Sequence, residues 1–372
     1  MSENRLQTGA IAVYGATGYT GRLVAGELRR RGAELVLAGR NRAKLEILAE
    51  DLGGQPSIQA VSLDNPQGLV ELLEPCAAVI ACAGPFALHG EPVLAAAIEA
   101  RTHYLDTTGE QTFMRKVFDE YGPAAERAGV ALVTAMGFDY APGDMIAALV
   151  AEGLGPLDEI VLAYSVHGFG PTRGTALSAL GVMAGGDVEW RDGELVPGSR
   201  GAGGGSWDFP APEGRTRMLR YPAGEHITVP RHVRTQRVRT LIAASTLLPL
   251  PVVPRVAPLV MAPAQLAMRT PLRRAVAALL PRLPEGPSEE SRRKARFLID
   301  CEARKGPSVR RGTVTGSNPY GLTARATVEG AFRCASPDYD RKGALAPSQA
   351  FDPREFLDAL ADFGVEYDIG PV

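Results

Sequence analysis

The sequence lacks several features that would each have tied it to a particular chemistry. It has four cysteines in 372 residues, at 76, 82, 301 and 334. None belongs to a C-x-x-C pair or has a histidine at ligand spacing, so incidental or buried thiols are expected, with no metal site and no disulfide framework. No uncharged run reaches the roughly 18 residues of a membrane-spanning helix. The most apolar stretch, 241–268, is broken by five prolines and Arg255. The opening MSENRLQTG is polar, without an apolar core or a small-residue cleavage site, and a cytoplasmic location is the expectation. None of the ten tyrosines is followed four residues later by lysine, which removes the pair that activates the catalytic hydroxyl of short-chain dehydrogenases. Cys301 lies inside an apolar run and Cys334 near a strand end, so a covalent thioester mechanism has little support.

What is present is the composition of an ordinary globular protein: 45% hydrophobic, 22% charged and a net charge of -2. The length suits two domains. The near-zero charge conceals an asymmetry. Residues 215–311 carry 20 Lys plus Arg against 6 Asp plus Glu, and the remainder carries 20 against 36. Such a basic quarter of the chain points to acidic partners, namely an acyl carrier protein or an anionic membrane surface. It has no interleaved aromatics and no binding motif, so nucleic acid is not expected. Within it, RTPLRRAVAALLPR (269–282) has the pattern of a short basic amphipathic helix, with peripheral membrane contact as one expectation. The neighbouring 241–268 reads either as an apolar channel wall or as buried loops or a homodimer interface.

The first 140 residues repeat a short apolar run, a turn and an amphipathic stretch. Strands are predicted at 10–14, 35–38, 58–61, 78–81, 103–105 and 131–134, and helices at 20–31, 42–52, 66–73, 91–100 and 110–127. This alternation predicts an α/β fold with a Rossmann-type, doubly wound parallel sheet over 1–140. A second, α+β domain is expected over 141–345, with a mixed, largely antiparallel sheet drawn from 159–166, the glycine-rich 198–205 and alternating runs at 226–239 and 323–333. Residues 346–372 are expected to supply a last helix and strand that pack back on the first domain.

The handover from the first strand to the first helix reads AVYGATGYTG. Gly15 ends the strand, Gly18 allows close approach of a ligand, and Gly21 allows helix and strand to pack tightly. Ala16, Thr17, Tyr19 and Thr20 complete a loop whose helix N-terminus suits a pyrophosphate. The second strand ends in GRNRAKL, with Arg40, Asn41 and Arg42 where an NAD-type fold places a carboxylate. Cations there select a 2′-phosphate, so NADP(H) is the expected cofactor; the competing reading is a solvated helix start. Asp64, past the third strand, either contacts the adenine edge or caps the next helix. Ala83, Gly84, Pro85 and Phe86 follow the fourth strand, the small residues beside the nicotinamide ribose and Pro85 with Phe86 as a wall. Asp106, Thr107, Thr108 and Glu110 follow the fifth at the crevice, Glu110 as a substrate-binding candidate with an equal claim as a helix cap.

Taken together, GATGYTG, GRNRAKL, CAGPFALHGEPVLAAAIEARTHYLDTTGE and GFDYAPGD resemble the saccharopine dehydrogenase-like oxidoreductases, within the branch that includes trans-acting enoyl reductases. RGTALSAL, NPYGLTA and GALAPSQAF extend the resemblance more loosely along the chain. Cys82 departs from it, standing where such proteins often have asparagine. The resemblance implies an NADP-binding domain joined to an α+β domain and hydride transfer. The expected reaction is reduction of a conjugated carbon–carbon double bond on a hydrophobic acyl substrate, small or carrier-bound. Tyr140 and Asp106 are the candidates for the proton donor and its support, and Arg173 for anchoring a carboxylate or phosphate. Two alternatives stand beside it: a saccharopine-like amino-acid or imine dehydrogenase, and a binding protein that senses NADP(H) without turnover.

Overall fold

The structure is a computed structural model that describes residues 9–138, 140–183, 187–198, 203–247 and 284–371. The chain divides into two units. One comprises residues up to 108, 113–137 and 320–351; the other comprises 109–112, 138–319 and 352 onward.

The strands in chain order are β1 (Ala10–Tyr14), β2 (Leu35–Gly39), β3 (Ser57–Ala60), β4 (Cys76–Ala81), β5 (His103–Asp106) and β6 (Ala131–Val133). These are followed by β7 (Glu159–His167), β8 (Val188–Arg191), β9 (Glu194–Pro197), β10 (Gly203–Asp208), β11 (Arg215–Arg220) and β12 (Val238–Ala243). The last four are β13 (Arg296–Lys305), β14 (Ser308–Ser317), β15 (Gly343–Leu345) and β16 (Glu366–Ile369).

The first unit holds a seven-stranded sheet in the order β15-β6-β5-β4-β1-β2-β3, with every neighbouring pair parallel. The order reverses direction between β1 and β4, which opens the ligand crevice of such sheets at the strand carboxyl ends. Crossovers run through helices α1 (Tyr19–Arg30), α2 (Arg42–Leu52), α3 (Pro66–Leu73) and α4 (Phe86–Glu99). All five residues of β1 are buried, as expected of a parallel strand covered on both faces.

Two helices differ from expectation. Helix α4 begins at Phe86, five residues earlier than Glu91. The Phe86 ring packs in the core against Phe113 at 5.8 Å between centroids, and the helix accommodates Pro92 in its interior. The stretch expected as one helix over 110–127 is three pieces, with a π-helical segment at Val117–Tyr121 between Gln111–Lys116 and Gly122–Ala128. Pro123 has no amide hydrogen to continue a regular ladder, which accounts for a break at this point.

The second unit holds a seven-stranded mixed sheet, β10-β11-β12-β7-β13-β14-β16, in which only β12 and β7 run parallel. Strands β8 and β9 form a separate hairpin. One layer of its core joins Val161, Ala163, Trp207, Phe209, Met218, Leu241 and Ala243.

Three expectations about chain organisation are corrected. The 323–333 run is helix, within Pro319–Cys334 of the first unit. Residues 322–328 are buried at every position, so burial follows neither period and alternating apolar residues mimic a strand. In 226–239 only the end is strand; Glu225–Thr228 and Val229–Arg231 are short helical turns around Pro230. The C-terminal segment does not add its strand to the first sheet: β15 closes that sheet beside β6, whereas β16 pairs antiparallel with β14 of the second. The segment 269–282 and residues 248–268 lie outside the described residues. Among the described residues no helix is long and apolar enough to cross a membrane.

Within the first unit, α1 and the helix Pro319–Cys334 are joined by paired charges. Glu329 accepts from Arg31 and Arg333, each at 2.8 Å, and Glu27 from Arg30 and Arg325, each at 2.7 Å. Burial raises the pKa of both carboxyls, but the guanidinium partners more than offset it and hold both below the usual range. A depressed folded pKa contributes stability above the unfolded value and loses it as pH falls through the folded one. Glu329→Gln is therefore expected to lower unfolding free energy by about 1–2 kcal/mol near neutrality. In urea melts the difference should fade once pH drops below the carboxylate range.

Candidate functional site: the dinucleotide crevice

The turn between β1 and α1 is built from backbone contacts that exclude side chains. Gly15 has φ +81, and a Cβ there would stand 2.9 Å from the Ala83 amide nitrogen and 3.0 Å from the Cys82 carbonyl carbon. A Cβ at Gly21 would collide with the Gly15 carbonyl oxygen and lie 2.9 Å from Ala16. The turn is held by amides of Gly15 and Ala16 donating to Ala38 O at 2.9 and 3.2 Å, and of Gly18 to Gly15 O at 3.0 Å. Arg22 braces its outer side through a 2.6 Å bond to Thr17 O. Gly18 is exposed and stands at the N-cap of α1, with no side-chain cap. The helix thus offers its positive end without an acceptor of its own, the arrangement that suits a phosphate. Tyr19 packs edge-on against Tyr320 at 5.3 Å, and Thr20 is half-buried in the first turn.

At the end of β2, Arg40 is exposed and has no ion-pair partner among the described residues. It acts electrostatically on Tyr14, as does Asp64, so the three groups share the edge formed by β1, β2 and β3. The Tyr14 hydroxyl donates to Val61 O at 2.9 Å, pinning that edge. Asn41 caps α2, accepting from the Lys44 amide at 3.0 Å. Arg42 faces Glu46 only loosely, at 3.8 Å between mostly exposed side chains. The cap of α3 is Asn65, which accepts from the Gly68 amide at 3.0 Å, so the capping alternative for Asp64 fails. Asp64 instead accepts weakly from Ser62 Oγ at 3.4 Å and remains exposed.

After β4, the Cys82 amide donates to Tyr14 O at 2.8 Å, which lays the Ala83–Gly84–Pro85 loop beside the glycine turn. Gly84 is exposed, and Ala83 and Pro85 are half-buried. Phe86 is buried in the core and is no exposed wall, a correction to the sequence expectation.

Asp106 ends β5 in register with Ala81 of β4 and is fully buried. Its Oδ1 accepts from the Thr108 and Ala135 amides at 2.9 and 3.0 Å and from Thr134 Oγ1 at 3.1 Å. Its Oδ2 and the Tyr104 hydroxyl, two residues earlier on the same sheet face, make no well-formed hydrogen bond, but the hydroxyl lies near enough to favour the ionised carboxyl. Burial dominates and pushes the Asp106 carboxyl up to about 6. Burial likewise pushes the Cys82 thiol up to about 12, which leaves it a neutral neighbour. Thr107 is half-buried.

The remaining candidates belong to the second unit. Tyr140 is buried and donates to Gly109 O at 3.0 Å, with the Tyr221 hydroxyl 3.3 Å away. Tyr164 stands edge-on to Tyr221 and donates to Glu225. Glu110 is buried and accepts from Ser178 Oγ at 2.7 Å. Arg173 opens the helix Arg173–Met183, its amide donating to Glu285 O at 3.1 Å. Asp106 and Tyr140 thus have separate sets of partners in separate units. Sequence reading missed Tyr14, Tyr104, Tyr221 and Glu225. The two-residue spacing of Tyr104 and Asp106 was a usable signal; nothing local ties Tyr140 to a tyrosine 81 residues away.

A raised folded pKa contributes stability below the unfolded pKa and loses it as pH rises through the folded value. Asp106→Asn, which keeps an acceptor for the same donors but cannot ionise, should thus be more stable than the parent above about pH 6, by roughly 1–3 kcal/mol. Denaturant melts at alkaline and acidic pH check this; equal gains at both would contradict it.

The saccharopine dehydrogenase NADP binding domain matches residues 11–133. A Mycobacterium ulcerans trans-acting enoyl reductase is 34% identical over 140 residues, 36% of this chain and 34% of its own length. A Bos taurus saccharopine dehydrogenase-like oxidoreductase is 32% identical over 152 residues, 36% of this chain and 35% of its own. The chain spans less than half the length of the curated relatives it matches. Across 98% of the chain the fold is similar to that of apo saccharopine dehydrogenase (L-Glu forming) from Saccharomyces cerevisiae, with TM-score 0.63 and 12% identity. The residues present fit the cofactor: a turn that any Cβ would fill, an uncapped helix end and, at the adenosine side, an exposed Arg40 without an ion-pair partner among the described residues. Replacing Arg40 and Arg42 by alanine should weaken NADPH binding by about tenfold or more while leaving NADH nearly unchanged, as read by fluorescence titration. Residues 11–133 are a saccharopine dehydrogenase NADP-binding domain, and its cofactor is NADP.

Proposed function

We propose that the protein is an NADP(H)-dependent oxidoreductase that reduces a carbon–carbon double bond conjugated to the carbonyl of a hydrophobic acyl substrate. The observation that carries this choice over an amino-dicarboxylate substrate is how the second unit uses its arginines. Arg239 and Arg304 pair with Glu159, Arg304 also with Glu302, and Arg311 with Asp300. Arg220 and Arg191 pair with Glu189, and Arg293 with Glu289. Guanidinium groups already engaged by the unit's own carboxylates are poor anchors for those of a substrate. The enoyl reductase relatives support the same reading.

When bound, NADPH supplies the hydride, which goes to the β carbon. In this reading Tyr140 holds on its phenol oxygen the proton given to the α carbon, and the Tyr221 hydroxyl, 3.3 Å away, replaces it. The acyl group is proposed to arrive on an acidic carrier protein, matched by the exposed Arg215 and Arg217 of β11. The proposal also includes peripheral contact with an anionic membrane and a homodimer.

The test is NADPH consumption with a long-chain enoyl thioester, alongside a keto acid plus an amine. Oxidation with the thioester and a product two hydrogens heavier is expected. Turnover only with the keto acid and amine would replace this reading by the imine-reducing one, and NADPH binding without turnover on either would favour a sensor. Tyr140→Phe should lower kcat by about 10²-fold with unchanged NADPH affinity; full turnover in that variant would remove Tyr140 from the chemistry.

A further inference from the structure

Asp106 is an unusual group to bury. It is the sole ionisable carboxylate among the fully buried side chains described in the first unit, and its Oδ2 lacks a well-formed hydrogen bond, with only the nearby Tyr104 hydroxyl to favour its charge. Leaving a carboxylate oxygen unsatisfied in the interior costs free energy that a neutral side chain would avoid. Its place in the sheet is informative. The adenosine side of the crevice is marked by Arg40 at the end of β2, and the pyrophosphate by the glycine turn after β1. In a sheet ordered β3-β2-β1-β4-β5, the rest of the dinucleotide must extend the other way, over the carboxyl ends of β4 and β5. Asp106 is the last residue of β5, in register with the last residue of β4. The oxidised nicotinamide ring is a cation and the reduced ring is neutral, so a buried carboxylate on that side interacts differently with the two.

We propose that Asp106 is a redox-state selector: its carboxylate favours NADP⁺ over NADPH in the cofactor site, and its protonation removes that preference. The inference stands on the cofactor assignment alone and does not depend on the acyl substrate. No step of bond making is involved; the carboxylate acts as a fixed charge in a region of low dielectric, where a single charge is felt over several ångströms.

The groups that face Asp106 leave its own ionisation as the controlling event. From its own strand comes Tyr104, which burial raises well above the ordinary phenol value, and from the loop after β4 comes Cys82, pushed up to about 12. The segment after β6 supplies the Thr134 hydroxyl and the Ala135 amide, and the loop after β5 the Thr108 amide. None of these changes charge near neutrality, and no cation among the described residues acts on the carboxyl. Burial places its titration near the lower edge of the physiological range, so a change of pH from alkaline to mildly acidic converts it from charged to neutral. Linkage makes the effect reciprocal: NADP⁺ lowers the carboxyl's pKa by as much as ionisation tightens NADP⁺ binding.

The experiment is calorimetric titration of the whole protein with NADP⁺ and, separately, with freshly dissolved NADPH, between about pH 5.5 and pH 8. The quantity read is the ratio of the two dissociation constants. The cofactor's 2′-phosphate titrates in this range too, with a second pKa of about 6, but both forms carry it and it cancels in the ratio. The NADPH-to-NADP⁺ ratio of Kd should rise by about fivefold to tenfold from the acidic to the alkaline end, the order expected of one unit charge. Asp106→Asn should abolish the rise and hold the ratio at its acidic value. Tyr104→Phe, which removes a hydroxyl that favours the ionised carboxyl, should keep the rise but move its midpoint to higher pH. A ratio independent of pH in the parent protein, or a rise that survives in Asp106→Asn, overturns the proposal. Should the Asn variant not fold, the Tyr104→Phe midpoint decides in its place, and an unmoved midpoint counts against Asp106. If neither cofactor form binds, the cofactor assignment itself fails and the proposal with it.

Discussion

The contact on which the first unit depends is the approach of backbone to backbone around the β1–α1 turn. Gly21 lies against the Gly15 carbonyl, and Gly15 against the Cys82–Ala83 peptide, at distances that leave no room for a Cβ. This draws α1 onto the turn from one side and the β4 loop from the other. The helix then begins with its amides and positive end at the crevice mouth, because no side chain intervenes to cap it. Any side chain at Gly21 would push the helix away and lose the phosphate site without touching a ligand. The site is therefore a property of packing before it is one of recognition.

Around that turn the charges are arranged asymmetrically. On the adenosine side the Arg40 guanidinium stands exposed, without an ion-pair partner among the described residues, and Tyr14, on which it acts, is bonded to Val61. On the opposite side buried Tyr104 and Thr134, with half-buried Cys82, surround one carboxyl whose pKa burial raises to about 6. A cation in the open attracts a phosphate dianion through water, whereas a carboxyl in the interior acts through low dielectric and is correspondingly sensitive to its proton. The second unit follows another logic. Several of its basic residues meet the unit's own carboxylates: Arg239 reaches Glu159 and Arg311 reaches Asp300 across neighbouring strands, Arg304 pairs with Glu302 on its own strand, and Arg220 pairs with Glu189 of the separate hairpin.

The first sheet was legible because each of its elements is local. Short apolar runs and a glycine triplet act within a few residues, and all six predicted strands of that region exist. The cations at 40 and 42 could be read the same way, since they follow directly from the end of β2. Misreadings arose where burial removed the periodic signal. The helix Pro319–Cys334 hides because Leu322 through Val328 are covered on all sides, and Phe86 was taken for a wall because its packing partner, Phe113, lies 27 residues on.

The amino-acid sequence by itself determined the dinucleotide turn, its preference for NADP and the alternating α/β order, since each depends on groups adjacent along the chain. Only the tertiary structure decided that β15 closes the first sheet while β16 extends the second, that Tyr140 meets Tyr221, and that Asp106 is buried with one oxygen lacking a well-formed hydrogen bond. Those are contacts between distant segments, set by which sheet edge is open and which face is covered. A linear pattern carries no record of either.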